Sequence, residues 1–356
     1  MILASALVVV GLGQVGRLPV PLAYWHSTER VYRTAIQRAH GEARRADVLL
    51  LGDSRIQFGL RADELARHLR LPGMGARSPH VVNLAVFGGI PPGALWLWRQ
   101  ATQSRRDSGP QLLLLGAADI DLTARSPGRD YSVRYLYDAR AASWLAWSGQ
   151  YDDAATLLTF RAFPFYARRR TIGNLLMRRE QTLLVIRREE RGGRWLPMYW
   201  DWYRDYRIDS FQTRCLEQLI REAKARGTRV VVVAPPVERG LLKLGAGALP
   251  PPGIEAGTGW RASADRSKAP LVLFHAAMAD IVSRTDVPYF DYLTPQDSVR
   301  FGYDASAHLS PESAVEFSRE IAERINRELA SETGSERIAQ VNGGRAPAEG
   351  LQAGEP

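Results

Sequence analysis

Val48-Leu49-Leu50-Leu51-Gly52-Asp53-Ser54-Arg55 is an apolar run that stops at a small, sharply turning Gly-Asp-Ser. Four successive apolar residues without alternation are the pattern of a strand buried on both faces, as in a parallel sheet covered by helices. Gly52 tolerates backbone conformations closed to other residues, so the chain can turn tightly there and hold the Ser54 hydroxyl at the rim of the sheet. Further short apolar runs follow at His80 to Ala85, Gln111 to Leu115, Arg229 to Ala234 and Pro288 to Tyr292. Between them lie helical patterns. One spans Thr28 to Arg45, and another follows Ser54, carries Leu60, Leu65 and Leu69, and ends before Pro72-Gly73. The rest cover Ala94 to Gln103, Ser210 to Arg226, Leu271 to Arg284 and Pro311 to Leu329. Strands alternating with helices predict an α/β domain, doubly wound about a mostly parallel sheet.

Residues 130–207 interrupt that rhythm with aromatics and arginines, among them Trp144, Trp147, Arg168, Arg169, Arg170, Trp195, Trp202 and Tyr203. They predict a largely helical insertion over the sheet edge or the site. The stripe from Trp195 to Tyr206 has two readings, packing or stacking on sugar rings. Residues 237–268 are rich in Gly and Pro and read as a loop. Residues 331–356 read as a disordered tail behind a domain of 25–330.

Residues 1–24 read as a signal peptide or membrane anchor, because Met1 to Gly16 carries no charge and is short of a comfortable span. An extracytoplasmic location, at the periplasm or cell surface, follows from that reading. The net charge is +9, but Lys224, Lys243 and Lys268 are the only lysines, and the arginine excess is spread along the chain without a recognition motif. Nucleic acid is therefore not the expected partner, whereas anionic lipid or glycan fits. The single cysteine, Cys215, excludes an intrachain disulfide. No histidine pair has metal-ligand spacing, so no metal is expected. Gly11-Leu12-Gly13-Gln14-Val15-Gly16 lacks the strand and helix of a dinucleotide site, so no cofactor is expected either.

Far along the chain, Tyr303-Asp304-Ala305-Ser306-Ala307-His308-Leu309-Ser310-Pro311 supplies an acid and a histidine. A serine hydroxyl becomes a nucleophile at neutral pH when an imidazole takes its proton, and a carboxylate commonly orients that imidazole. Ser54, His308 and Asp304 supply the three types. Ser310 and Pro311 make a helix start that would fix where the imidazole points. Gly88 in the Phe87-Gly88-Gly89 turn offers a backbone amide for an oxyanion. Asp53, Arg55, Asn83, Gly89 and Asp119 are the further candidates for contact with substrate, and Asp53 also suits support of the turn.

These blocks resemble the SGNH or GDSL hydrolase family. Leu51-Gly52-Asp53-Ser54 is similar to its first block, Asn83 with Gly88 to its second, and Asp304, His308 and Leu309-Ser310-Pro311-Glu312 to its last, over roughly residues 46–122 and 208–328. The resemblance implies a flavodoxin-like sheet and a serine esterase or acyl transferase working through an acyl-enzyme at Ser54. The oxyanion would go to the amides of Ser54 and Gly88. Two positions depart from the pattern. Ala118 in Gly116-Ala117-Ala118-Asp119 stands where the family has an Asn that donates to the oxyanion. One extra residue separates Asp304 from His308, leaving the orienter as Asp304, a backbone carbonyl, Asp297 or none.

The missing Asn, the insertion and the apolar leader also resemble a subset of the family that accompanies membrane-bound O-acyltransferases. That likeness implies an acylated cell-surface glycan as substrate and such an acyltransferase as partner. The alternative is a weak or inactive relative that binds a glycan or the acyltransferase through the same pocket.

Overall fold

The computed structural model describes residues 28–103, 109–126, 128–163, 199, 202–203, 205–246, 269–305 and 307–343. Five strands form one sheet: β1 (Val48–Leu51), β2 (Val81–Asn83), β3 (Leu112–Gly116), β4 (Arg229–Ala234) and β5 (Tyr289–Asp291), in the order β2-β1-β3-β4-β5. All four pairings are parallel. This is the 2-1-3-4-5 order, in which the winding reverses between β1 and β3; sheets of this order open a crevice at the carboxyl ends of the strands at that point. The register aligns those ends, pairing Leu50 with Asn83, Leu51 with Leu115, Gly116 with Val233 and Ala234 with Asp291.

Apolar residues on both sides of every central strand draw helices onto both faces. Leu49, Leu51, Leu113, Leu115 and Val232 pack against α1 (Thr28–His40), α4 (Pro91–Thr102), α7 (Ser210–Ala225) and α9 (Pro270–Thr285). Val48, Leu50, Leu112, Leu114, Val231 and Val233 pack against α2 (Ser54–Gly59), α3 (Ala62–His68) and α11 (Pro311–Gly343). The sheet is therefore covered on both faces. The insertion contributes α5 (Ala141–Trp147) and α6 (Tyr151–Ala162), which pack as a helical hairpin.

Several boundaries differ from the sequence reading. The helix after Ser54 is two helices, because Leu60 and Arg61 adopt extended backbone between α2 and α3. Within 237–268, α8 (Arg239–Gly245) forms where Leu241, Leu242 and Leu244 can be buried, and 247–268 lie outside the described residues. α11 continues past Leu329 to Gly343, over a stretch without proline, so the first half of the expected disordered tail is helical. Between β5 and α11 lie a short helix, α10 (Asp297–Arg300), and an antiparallel hairpin of β6 (Tyr303–Ala305) and β7 (His308–Leu309), which no pattern in the sequence announced. The expected leader, 1–24, lies outside the described residues. Among the described residues no helix is long and apolar enough to cross a membrane.

Candidate active site

The end of β1 sets the nucleophile turn. Gly52 has φ of +149°, and an added Cβ would press on Ile56 Cγ1 at 2.8 Å and Gly116 Cα at 3.1 Å, so only glycine suits the position. Asp53 then caps α2, its Oδ1 accepting from Arg55 N at 3.0 Å. Ser54 is the first helical residue, buried at the carboxyl end of β1.

The β6–β7 hairpin delivers the imidazole. His308 Nε2 lies 2.9 Å from Ser54 Oγ, joining residues 254 positions apart. The ring also packs on Phe58 of α2 with centroids 5.1 Å apart. Burial, followed by the Arg55 cation, pushes the His308 pKa down to about 4. The imidazole is therefore neutral over most of the pH range, the form that can accept a proton.

The expected orienter is not brought to the ring. Ala305, not Asp304, is the cross-strand partner of His308. The extra residue between Asp304 and His308 is accommodated by an irregular register in the hairpin. Among the described residues no carboxylate lies within hydrogen-bonding or ion-pair distance of His308. Asp297 instead accepts from Thr294 Oγ1 at 2.6 Å within its own turn.

The side of Ser54 towards β2 is built from backbone. The sheet ladder extends past β2, with Leu84 N donating to Leu50 O at 2.9 Å and Val86 N to Gly52 O at 3.1 Å. Gly88 sits at φ of +63°, a left-handed conformation that favours glycine. Among the described residues the N–H groups of Ser54 and Gly88 meet no acceptor. Gly89 N donates to Val86 O at 2.8 Å, and its Cα is so close to the Gly52 carbonyl oxygen that a methyl group would overlap it. Gly89 is thus a packing glycine beside the donor rather than a substrate contact. Ala118 cannot act through its amide, because that N–H donates to Asp121 Oδ2 at 3.1 Å.

The remaining substrate-contact candidates are committed to the framework. Asn83 Oδ1 accepts from Ala85 N at 2.9 Å, while its amide nitrogen reaches Leu60 O at 3.4 Å and Gln57 O at 3.5 Å, tying β2 to the end of α2. Arg55 is fully buried, with Nη1 donating to Asp119 Oδ1 at 2.8 Å and Nε 3.9 Å from Asp53 Oδ2. Tyr203 donates its hydroxyl to Asp119 Oδ2, and Tyr206 donates to the Asp119 carbonyl oxygen at 2.6 Å. Asp53, Arg55 and Asp119 are therefore closed off from solvent.

Burial, partly offset by Arg55, raises the Asp53 pKa to about 6. Burial and then the Asp53 carboxylate push Asp121 well above the usual carboxylate range, favouring its protonated form. Within the cluster Asp53 Oδ2, Asp121 Oδ1 and Arg55 Nε and Nη2 have no hydrogen-bond partner among the described residues.

The sequence reading missed the tyrosines as partners of Asp119; their spacing in the stripe Trp195 to Tyr206 was the available signal. Tyr199, Tyr203 and Tyr206 are buried, so packing describes them and a sugar platform does not. Trp195 and Trp200 lie outside the described residues. Among the described residues no group of three His, Cys, Asp or Glu side chains could hold a metal ion. No family model matches the chain, and a search of curated proteins finds no significant relative.

Proposed function

We propose that the chain is an SGNH-type serine hydrolase, an esterase or acyl transferase acting on an ester-linked acyl group of a cell-surface glycan. The observation that carries this reading is the 2.9 Å contact between His308 Nε2 and Ser54 Oγ at the carboxyl ends of a parallel sheet, beside the unpartnered Gly88 amide. His308 accepts the Ser54 proton as Oγ attacks the ester carbonyl carbon, and the N–H groups of Ser54 and Gly88 receive the oxyanion. As the ester C–O bond breaks, the imidazolium returns that proton to the leaving alcohol. Water or a glycan hydroxyl then gives its proton to His308 and attacks the acyl carbon; as the bond to Ser54 Oγ breaks, the imidazolium returns that proton to Oγ and frees Ser54. The uncharged run Met1 to Gly16 supports an extracytoplasmic, membrane-held setting; the partner proposed for that setting is a membrane-bound O-acyltransferase.

A serine-directed fluorophosphonate tests the reading. Labelling of the wild type that vanishes in Ser54→Ala supports it; a folded wild type that stays unlabelled overturns it. The second reading, a non-catalytic glycan- or acyltransferase-binding protein, draws on two observations. Ala118 provides no side-chain donor, and no described carboxylate supports the imidazole. Absent labelling together with glycan retention would favour it.

A further inference from the structure

Helix α6 is apolar on two faces. Ala154, Leu157 and Phe160 point into the core, whereas Tyr151, Ala155, Leu158 and Ala162 form a second stripe at i, i+4, i+7 and i+11 that is exposed. A helix on a water-facing surface carries polar residues on that side. Here only Asp152, Thr159 and Arg161 interrupt it. At one end of the stripe Trp147, the last residue of α5, is 91% exposed and Tyr151 70%; at the other, Phe163 is also exposed. Most of the exposed large hydrophobic side chains of the described residues lie on this edge.

Its position follows from a chain of contacts. Arg129 holds the first turn of α6 through Asp153 Oδ2 at 2.7 Å and Gln150 Oε1 at 2.8 Å. The adjacent Gly128 packs directly on the Gly88 carbonyl. Tyr32, in the second turn of α1, donates its hydroxyl to Phe87 O at 2.9 Å. The start of α1 and the aromatic edge are thus attached to the same Phe87–Gly88 stretch, at the carboxyl end of the sheet. The sequence ahead of α1 contains the uncharged run Met1 to Gly16.

We infer that the α5–α6 edge rests in the interfacial layer of a phospholipid bilayer, with Trp147, Tyr151, Leu158 and Phe163 among the acyl-chain ends and Arg140 at the headgroups. Three features select a bilayer over a protein partner. Trp and Tyr, with one apolar and one polar end, suit the membrane–water boundary. At 12 residues α6 is about 18 Å long, too short to span but long enough to lie in the plane of the interface. α1, the helix that follows the apolar run Met1 to Gly16 in sequence, begins at this end of the molecule, and the net charge of +9 favours anionic headgroups. The contact turns the carboxyl end of the sheet towards the lipid surface. It does not depend on the chemistry proposed for Ser54, and fluorophosphonate labelling of the same samples keeps the two readings separable.

The test uses the full chain on mixed phosphatidylcholine–phosphatidylglycerol vesicles. Cys215 is buried, so a thiol-reactive fluorophore reports on Trp147→Cys, with Leu158→Cys as a second position. Arg327→Cys, exposed on α11 over the opposite face of the sheet, serves as control. Doxyl-labelled lipid should remove most of the emission at 147 and 158 and little at 327, while aqueous iodide should do the reverse. Iodide quenching at 147 equal to that at 327 overturns the inference. Shielding at 147 from both quenchers also overturns it, and assigns the edge to another protein or another segment of this chain.

Discussion

The two sides of Ser54 are built in opposite ways. Towards β7 there is one hydrogen bond to a half-buried imidazole, with no described carboxylate behind it. Towards β3 there is a buried assembly of Asp53, Arg55, Asp119, Asp121 and three tyrosines, tied to the helix cap, the Ala118 amide and the loop after β3. Buried polar groups are costly unless paired, so the chain's polar investment goes into fixing the nucleophile turn. Orientation of the base is left to the hairpin backbone and to packing on Phe58. The turn is therefore the more heavily bonded half of the site and the imidazole the less bonded half.

The largest effect that can test this contrast is removal of the cation. Arg55→Met leaves Asp119 and Asp53 buried without their partner and should cost about 3–5 kcal/mol, read as a lower midpoint in urea unfolding. If stability stays within error, the assembly does not hold the turn. Tyr203→Phe removes one hydrogen bond to the Asp119 carboxylate and should cost roughly 1.5–3 kcal/mol by the same measurement, with fluorophosphonate labelling of Ser54 retained.

On the other side of Ser54 the expected effects concern pH and rate. Because His308 must be neutral to accept the Ser54 proton, and its pKa lies near 4, the acid limb of kcat/KM for a small ester should fall near pH 4. Phe58→Ala opens the ring to water, weakens the burial that lowers the pKa, and should move the limb upward. A wild-type limb near 6.5 would show that the imidazole is not shielded. The smallest effect is expected from Asp304→Asn, which should change kcat/KM by less than about twofold, since a true orienter is worth far more. A drop of several orders of magnitude would place Asp304 on the imidazole during turnover.

The sheet was legible because its strands are apolar throughout: Val48–Leu51, Leu112–Gly116 and Arg229–Ala234 are found within a residue of where the pattern put them. The meeting of Ser54 with His308 was legible from motif type and chain order. Asp304 was not, because the register of a three-residue strand against a two-residue strand is set by a turn whose geometry sequence spacing does not encode. Arg55 read as a candidate substrate contact because it adjoins Ser54 in sequence. Its burial depends on Asp119 and Tyr203, 64 and 148 positions away, a convergence no local pattern reveals. The split between α2 and α3 was hidden for the opposite reason: Leu60 and Leu65 keep a helical rhythm across a break made by tertiary packing.

The fit of Gly89 against the Gly52 carbonyl, with Val86 N donating to that same oxygen, joins two loops by main chain alone. Whatever side chains drift around the crevice, the spacing between the Ser54 and Gly88 amides is inherited from the sheet itself. Substitutions elsewhere around the crevice therefore leave the placing of these two amides intact, whereas a side chain at Gly52 or Gly89 would force the two loops apart.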